Sequence, residues 1–124
     1  MDIILTNAAS QPIYDQIVSQ VKAQILSGKL REGDALPSLR ALAKDLRISV
    51  ITTKRAYEEL ERDGFIETVT GKGSFVAAQN AELLREEALR RTEQALRGAV
   101  DTARQGGVTD SEVREMLELV LEGE

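Results

Sequence analysis

The segment "SLRALAKDLRISVITTKRAYEEL", residues 38–60, decides the fold because it holds two short amphipathic helices joined by the tight link "RIS". Apolar residues recur at helical spacing on both sides of this link. The predicted buried positions are Leu39, Leu42, Ala43 and Leu46 before the link and Thr53, Ala56, Tyr57 and Leu60 after it. Ser38 and Ser49 stand where a serine hydroxyl typically caps a helix. This pattern indicates a helix-turn-helix.

The flanking sequence adds one helix before this segment and a β-hairpin after it. Residues 12–27 repeat isoleucine or valine every fourth position, which predicts an amphipathic helix. After Gly64 the pattern changes to two short strands, "FIETV" and "SFVA", around the turn "TGKG". Residues 1–77 are therefore expected to form a winged helix-turn-helix domain, with Lys72 at the tip of the wing.

Residues 78–124 predict two further amphipathic helices, separated by Gly106 and Gly107. Two helices of this size do not close a core alone, so they are expected to pack against the same pair in a second chain. The residues predicted for this dimerisation are Leu84, Leu89, Leu96, Val100, Val113, Leu117 and Val120. Packing onto the chain's own winged helix is the alternative. The predicted fold class is mostly α with a small β-hairpin, a winged helix-turn-helix domain followed by a short two-helix dimerisation tail.

Composition argues against catalysis and against a membrane protein. The 124 residues include no histidine and no cysteine, so the commonest general base and all thiolate metal ligands are missing. We therefore expect no enzymatic activity, no cofactor and no metal. No run of apolar residues approaches the length of a membrane span, which favours a cytoplasmic protein without a membrane partner.

The charge is distributed unevenly along the chain. The net charge is −5, and the acidic excess lies in residues 78–124. Residues 36–57 carry five arginines and lysines against Asp45 alone, a local net charge of +4. Because exposed charges farther apart than a Debye length are largely screened, this local excess is what a bound partner would meet.

The start of the third helix presents an unusual surface. Val50 and Ile51 are β-branched, and Ile51 lies nearly opposite the predicted buried stripe, beside the cations Lys54 and Arg55. Aliphatic groups next to cations suit a helix in the DNA major groove, where they contact thymine methyl groups while cations reach guanine or phosphates. The alternative is that Val50 and Ile51 pack under the N-terminal segment or at a dimer contact.

These motifs together resemble a known family. The runs "LREGD-LPS-R-LA--L", "S--T-KRAY-EL---G-I" and "G-G-FV" are similar to the DNA-binding domain of GntR-family bacterial transcription regulators, and the short tail resembles the YtrA subfamily. The resemblance implies a homodimeric regulator, a repressor of an operon that encodes an ABC transporter. It also implies that Arg40 reaches DNA. Many family members carry Arg and Asn where Val50 and Ile51 stand here.

The sequence thus predicts a transcription regulator that binds a pseudo-palindromic double-stranded operator as a homodimer. The predicted DNA-binding residues are Ser38, Arg40, Ser49, Val50, Ile51, Thr52, Lys54, Arg55, Gly71, Lys72 and Gly73. Three alternatives stay open: Arg55 braces the fold through Glu59, the wing is an ordinary hairpin tip, or the winged helix binds a protein. A small-molecule effector at the dimer interface is also left open.

Overall fold

The computed structural model describes residues 1–7 and 10–123. Ala8, Ala9 and Glu124, which fall within the predicted regions 1–77 and 78–124, lie outside the described residues. The elements are α1 (Ile13–Leu26), α2 (Leu39–Leu46), α3 (Val50–Arg62), β1 (Ile66–Val69), β2 (Gly73–Val76), α4 (Ala81–Gln105) and α5 (Asp110–Leu121). The predicted fold class, mostly α with a small β-hairpin, is confirmed. The chain forms two compact units, Met1–Ala81 and Glu82–Glu124.

Two serine caps set the starts of α2 and α3, as predicted. The Ser38 hydroxyl accepts the Ala41 N–H at 3.1 Å, and the Ser49 hydroxyl accepts the Thr52 N–H at 3.2 Å. Between them α2 ends at Leu46, and its C-cap residue Arg47 adopts the left-handed conformation with φ 58°. This single reversed residue turns the chain within the short link, so that α3 can begin at once.

The core of the first unit lies where α1 and α2 pack against α3. The four predicted core residues of α3, Thr53, Ala56, Tyr57 and Leu60, are all buried. In α2 only the middle of the predicted stripe, Leu42 and Ala43, is buried, whereas Leu39 and Leu46 are half-buried. Their positions at the two ends of this short helix leave them at the margin of its contact with α3.

The hairpin is antiparallel and pairs Ile66 with Val76 and Val69 with Gly73. The segment before α2 lies along its second strand, because the Leu36 N–H donates to the Ser74 carbonyl at 2.9 Å. This backbone hydrogen bond connects the hairpin, the wing of the predicted fold, to the segment that leads directly into α2.

Three glutamines of α1, spaced one turn apart, bind the extended N-terminal segment. The Gln20 side-chain amide pairs with both backbone groups of Ile4, at 2.8 and 2.6 Å. Gln16 pairs in the same way with Thr6 at 3.0 and 2.9 Å, and Gln24 donates to the Asp2 carbonyl. The side of α1 that carries these glutamines is thus covered by the backbone of the N-terminal segment.

The second unit consists of α4 and α5. Gly107, with φ 75°, lies in the turn between them, and Thr109 begins α5 with the predicted capping box. Hydrogen bonds from the Thr109 amide and hydroxyl lower the pKa of the Glu112 carboxyl from its ordinary value. The box fixes the start of α5 directly after the glycine turn.

Candidate nucleic-acid interface

Two hydrogen bonds from buried side chains fix the start of α2 against α3. The Thr53 hydroxyl lies 3.0 Å from the Leu39 carbonyl, and the Tyr57 hydroxyl donates to the Pro37 carbonyl at 2.8 Å. Burial raises the pKa of Tyr57 above its ordinary value. Because both bonds end in the chain around Ser38, they hold the first turn of α2 at a fixed place beside α3.

The first turn of α3 presents aliphatic side chains to solvent. Ile51 is 80% exposed and Val50 is 42% exposed. The alternative that Ile51 packs under the N-terminal segment is therefore wrong. Thr52 is half-buried, and its hydroxyl lies 3.0 Å from that of Ser49. The solvent-facing surface of this turn is therefore mainly aliphatic, although two of its four side chains are threonines.

Arg55 lies on the same outer side of α3 and stacks on an aromatic ring of α1. Its guanidinium carbon is 3.8 Å from the centre of the Tyr14 ring. The alternative partner considered from the sequence, Glu59, forms no ion pair with it within residues 1–7 and 10–123. Tyr14 was not predicted as part of this surface, since no sequence pattern links a residue of α1 to one of α3.

The predicted DNA-binding set contains three further cations. One belongs to α2, one to α3 and one to the tip of the wing. Arg40, Lys54 and Lys72 are exposed, and in the described part of the chain none of them forms an ion pair. Arg40 belongs to the first turn of α2, which the hydrogen bonds of Thr53 and Tyr57 hold against α3. These cations are available for an external anion.

The tip of the wing is formed by residues 70–72. Gly71 and Gly73 have φ of 78° and 111°, in the region that favours glycine, and the Lys72 N–H donates to the Val69 carbonyl. A strand follows this turn, so the two glycines belong to a hairpin and not to a nucleotide-binding loop. Lys72 stands at its exposed end.

The second unit has an apolar groove between its two helices. The groove has a volume of about 450 Å³ and is lined mainly by Leu96, Val100, Val113, Met116, Leu117 and Val120. Of the other predicted dimerisation residues, Leu89 is exposed and Leu84 is half-buried. An apolar surface of this kind is typical of a contact with another protein chain.

Within residues 1–7 and 10–123, no group of three or more acidic side chains is placed to hold a metal ion. Among those same residues no helix is both long and apolar enough to cross a bilayer.

Comparison with known sequences identifies similar proteins. Residues 13–76, from α1 to β2, match the family of bacterial regulatory proteins named gntR. The chain is 36% identical over 115 residues to YhcF, an uncharacterised HTH-type transcriptional regulator of Bacillus subtilis, covering 93% of this chain and 94% of YhcF. It is 35% identical over 109 residues to the Bacillus subtilis transcriptional repressor YtrA, covering 88% of this chain and 84% of YtrA.

Solved structures agree with the sequence comparison. A GntR family transcriptional regulator from Listeria monocytogenes superposes with a TM-score of 0.72 at 27% identity, covering 92% of this chain and 97% of that protein. The DNA-binding domain of AraR, solved in complex with its operator ORX1, superposes with a TM-score of 0.55 at 25% identity. That match covers 62% of this chain and 96% of the AraR domain.

Proposed function

This chain belongs to the GntR family of bacterial DNA-binding transcription regulators, which are not enzymes, and from that premise we propose that it is a repressor. As a homodimer it binds a pseudo-palindromic operator, with α3 in the major groove and the wing at the minor groove. The observation that carries this proposal is the outer face of α3, where exposed Val50 and Ile51 lie beside Lys54, which forms no ion pair within the described residues.

The proposed DNA contacts divide by chemistry. Arg40 and Lys54 bind phosphates or guanine edges, and Lys72 reaches a phosphate or the minor groove from the wing. Arg55 supplies a further cation, held on the ring of Tyr14. The remaining proposed contacts come from Ser38, Ser49, Val50, Ile51, Thr52, Gly71 and Gly73. The operator complex of the similar AraR domain supports DNA binding through residues of this part of the chain.

The proposed dimer is formed by the second unit. Its apolar groove and the exposed side chains of Leu89, Leu96 and Leu117 are covered when two copies pair. Two copies would place two α3 helices about one turn of DNA apart, which suits an operator with inverted half-sites. The acidic excess of this unit keeps DNA on the winged-helix side by repulsion.

The regulated genes are proposed from the relatives alone. The match to the repressor YtrA supports repression, and the resemblance to its subfamily supports an operon that encodes an ABC transporter. A regulator of chromosomal DNA works in the cytoplasm. A small-molecule effector, if the protein has one, would bind at the dimer interface, where a second copy would close the open apolar groove of the second unit.

Selection from a randomised duplex library tests the proposed function. We expect enrichment of inverted repeats whose half-sites are about one helical turn apart. Fluorescence anisotropy on an enriched duplex should then show an affinity that falls steeply with salt, because phosphate contacts release counterions. Absence of enrichment at low salt would contradict operator binding and would favour a winged helix that binds a protein partner.

A further inference from the structure

Four consecutive β-branched residues begin α3, and the fold explains only two of them. Such residues are poorer helix formers than alanine. Thr53 is buried and bonds the Leu39 carbonyl, and Thr52 bonds the capping hydroxyl of Ser49. Val50 is 42% exposed, and Ile51 leaves four-fifths of its surface in solvent. Packing within the folded chain therefore does not account for Ile51.

The two hydroxyl groups at the start of this turn are partly engaged with each other. The Ser49 hydroxyl accepts the Thr52 N–H and is hydrogen-bonded to the Thr52 hydroxyl at 3.0 Å. What the turn offers to a partner is therefore mainly the aliphatic surface of Val50 and Ile51. A partner of this turn must supply an apolar group at that place.

The surrounding charge identifies the class of partner. Lys54 and Arg40 carry no carboxylate partner in the described residues, and residues 36–57 hold a net charge of +4. An apolar protein surface placed over Ile51 would leave these cations desolvated and unpaired, which is costly. Duplex DNA supplies phosphates for the cations.

In the major groove only one base carries an apolar group on its edge, the C5-methyl of thymine. We infer that Ile51, with Val50 beside it, selects the operator by packing against thymine methyl groups. This inference rests on the proposed function and specifies what its recognition helix reads. It predicts thymine within the part of each half-site that the start of α3 enters.

Deoxyuridine provides the test, because it differs from thymidine only by the missing methyl group. Each thymine of an enriched duplex is replaced in turn by deoxyuridine, and the affinity of the full chain is measured by anisotropy. At one or more positions in each half-site the affinity of the parent protein should fall roughly fourfold, the effect of exposing one methyl-sized group.

The variant Ile51→Ala separates this contact from other effects. It should bind the unmodified duplex more weakly than the parent and be insensitive to deoxyuridine at those positions, whereas Ile51→Val should stay sensitive. Because Ile51 is exposed, Ile51→Val should unfold at the same temperature as the parent, and Ile51→Ala, with its better helix former, at the same temperature or slightly above it.

Three results would overturn the inference in different ways. If no deoxyuridine substitution weakens binding, or if it weakens parent and Ile51→Ala equally, Ile51 does not read thymine although the operator proposal stands. If the library yields no enriched sequence, the proposed function fails and the inference fails with it. A change of oligomeric state in Ile51→Ala, measured by light scattering, would instead make Ile51 a contact between copies.

Discussion

The guanidinium of Arg55 lies over the Tyr14 ring, with its central carbon 3.8 Å from the ring centre, and so joins α1 to the outer face of α3. Arginine suits such a contact because its planar charge stacks on an aromatic face while its N–H groups stay free for an anion. The ring limits the positions that this long side chain can occupy, which lowers the entropy lost when it binds DNA.

Replacing Tyr14 with leucine should therefore weaken operator binding. The stacking contributes about 0.5–1 kcal/mol at an exposed site, so we expect a loss of roughly twofold to fivefold in affinity by anisotropy. Tyr14→Phe keeps the ring and should bind like the parent. In an Arg55→Met background Tyr14→Leu should cause no further loss. Equal losses for Tyr14→Phe and Tyr14→Leu would mean that the hydroxyl, and not the ring, contributes.

Arg40→Ala and Lys54→Ala should each weaken DNA binding without unfolding the protein, since both side chains are exposed and unpaired in the described chain. If each binds one phosphate, the slope of log affinity against log salt should decrease by about 0.9 per substitution. Lys29→Ala is the matched control, because Lys29 pairs with Asp2 beyond the end of α1. Unchanged affinity in both variants would show that the proposed groove face is wrong.

Tyr57 should make stability depend on pH in alkaline solution. Burial raises the pKa of Tyr57 in the folded chain, so the unfolded chain loses this proton first, near pH 10. The resulting stabilisation is complete below that value and decreases as the pH rises toward the higher pKa of the folded state. Urea unfolding should show a steeper alkaline loss of stability for the parent than for Tyr57→Phe. Parallel curves would refute this assignment.

Charged residues in the groove of the second unit should dissociate the dimer. Leu96→Asp and Leu117→Asp place a carboxylate in the apolar lining, where burial against a second copy is unfavourable. Light scattering should report monomers for both variants. Leu119→Asp is the control, because Leu119 lies on the same helix as Leu117, is 57% exposed and does not line the groove. A dimer that persists in all three variants would refute the proposed interface.

Local sequence patterns predicted the structural features that depend on residues close in sequence, namely helix caps and the buried face of a helix. The serine caps of α2 and α3, the buried stripe of α3 and the capping box of α5 follow from spacing within one helix, and the structure confirms them. The family was identified from motifs of the same kind, and the comparisons confirm it. Assignment of the individual DNA contacts stays a prediction.

Contacts between distant parts of the chain could not be predicted in this way. The pairing of Tyr14 with Arg55 depends on how α1 crosses α3, and the amide of Gln20 meets Ile4 only because the N-terminal segment folds back along α1. Spacing within one helix shows which side a residue faces but not which residue from another segment it meets. These contacts are therefore available only from the structure.

Site-directed DNA cleavage tests the central claim most directly, namely that the first turn of α3 lies in the operator. The chain contains no cysteine, so one introduced as Val50→Cys can carry an iron–EDTA cleavage reagent at a single place. Glu61→Cys, about 16 Å farther along the same helix, is the control. We predict that the Val50→Cys conjugate cuts an enriched duplex at two clusters about one helical turn apart, far more than the control does. Equal cutting by the two conjugates, or none by either, would contradict the account.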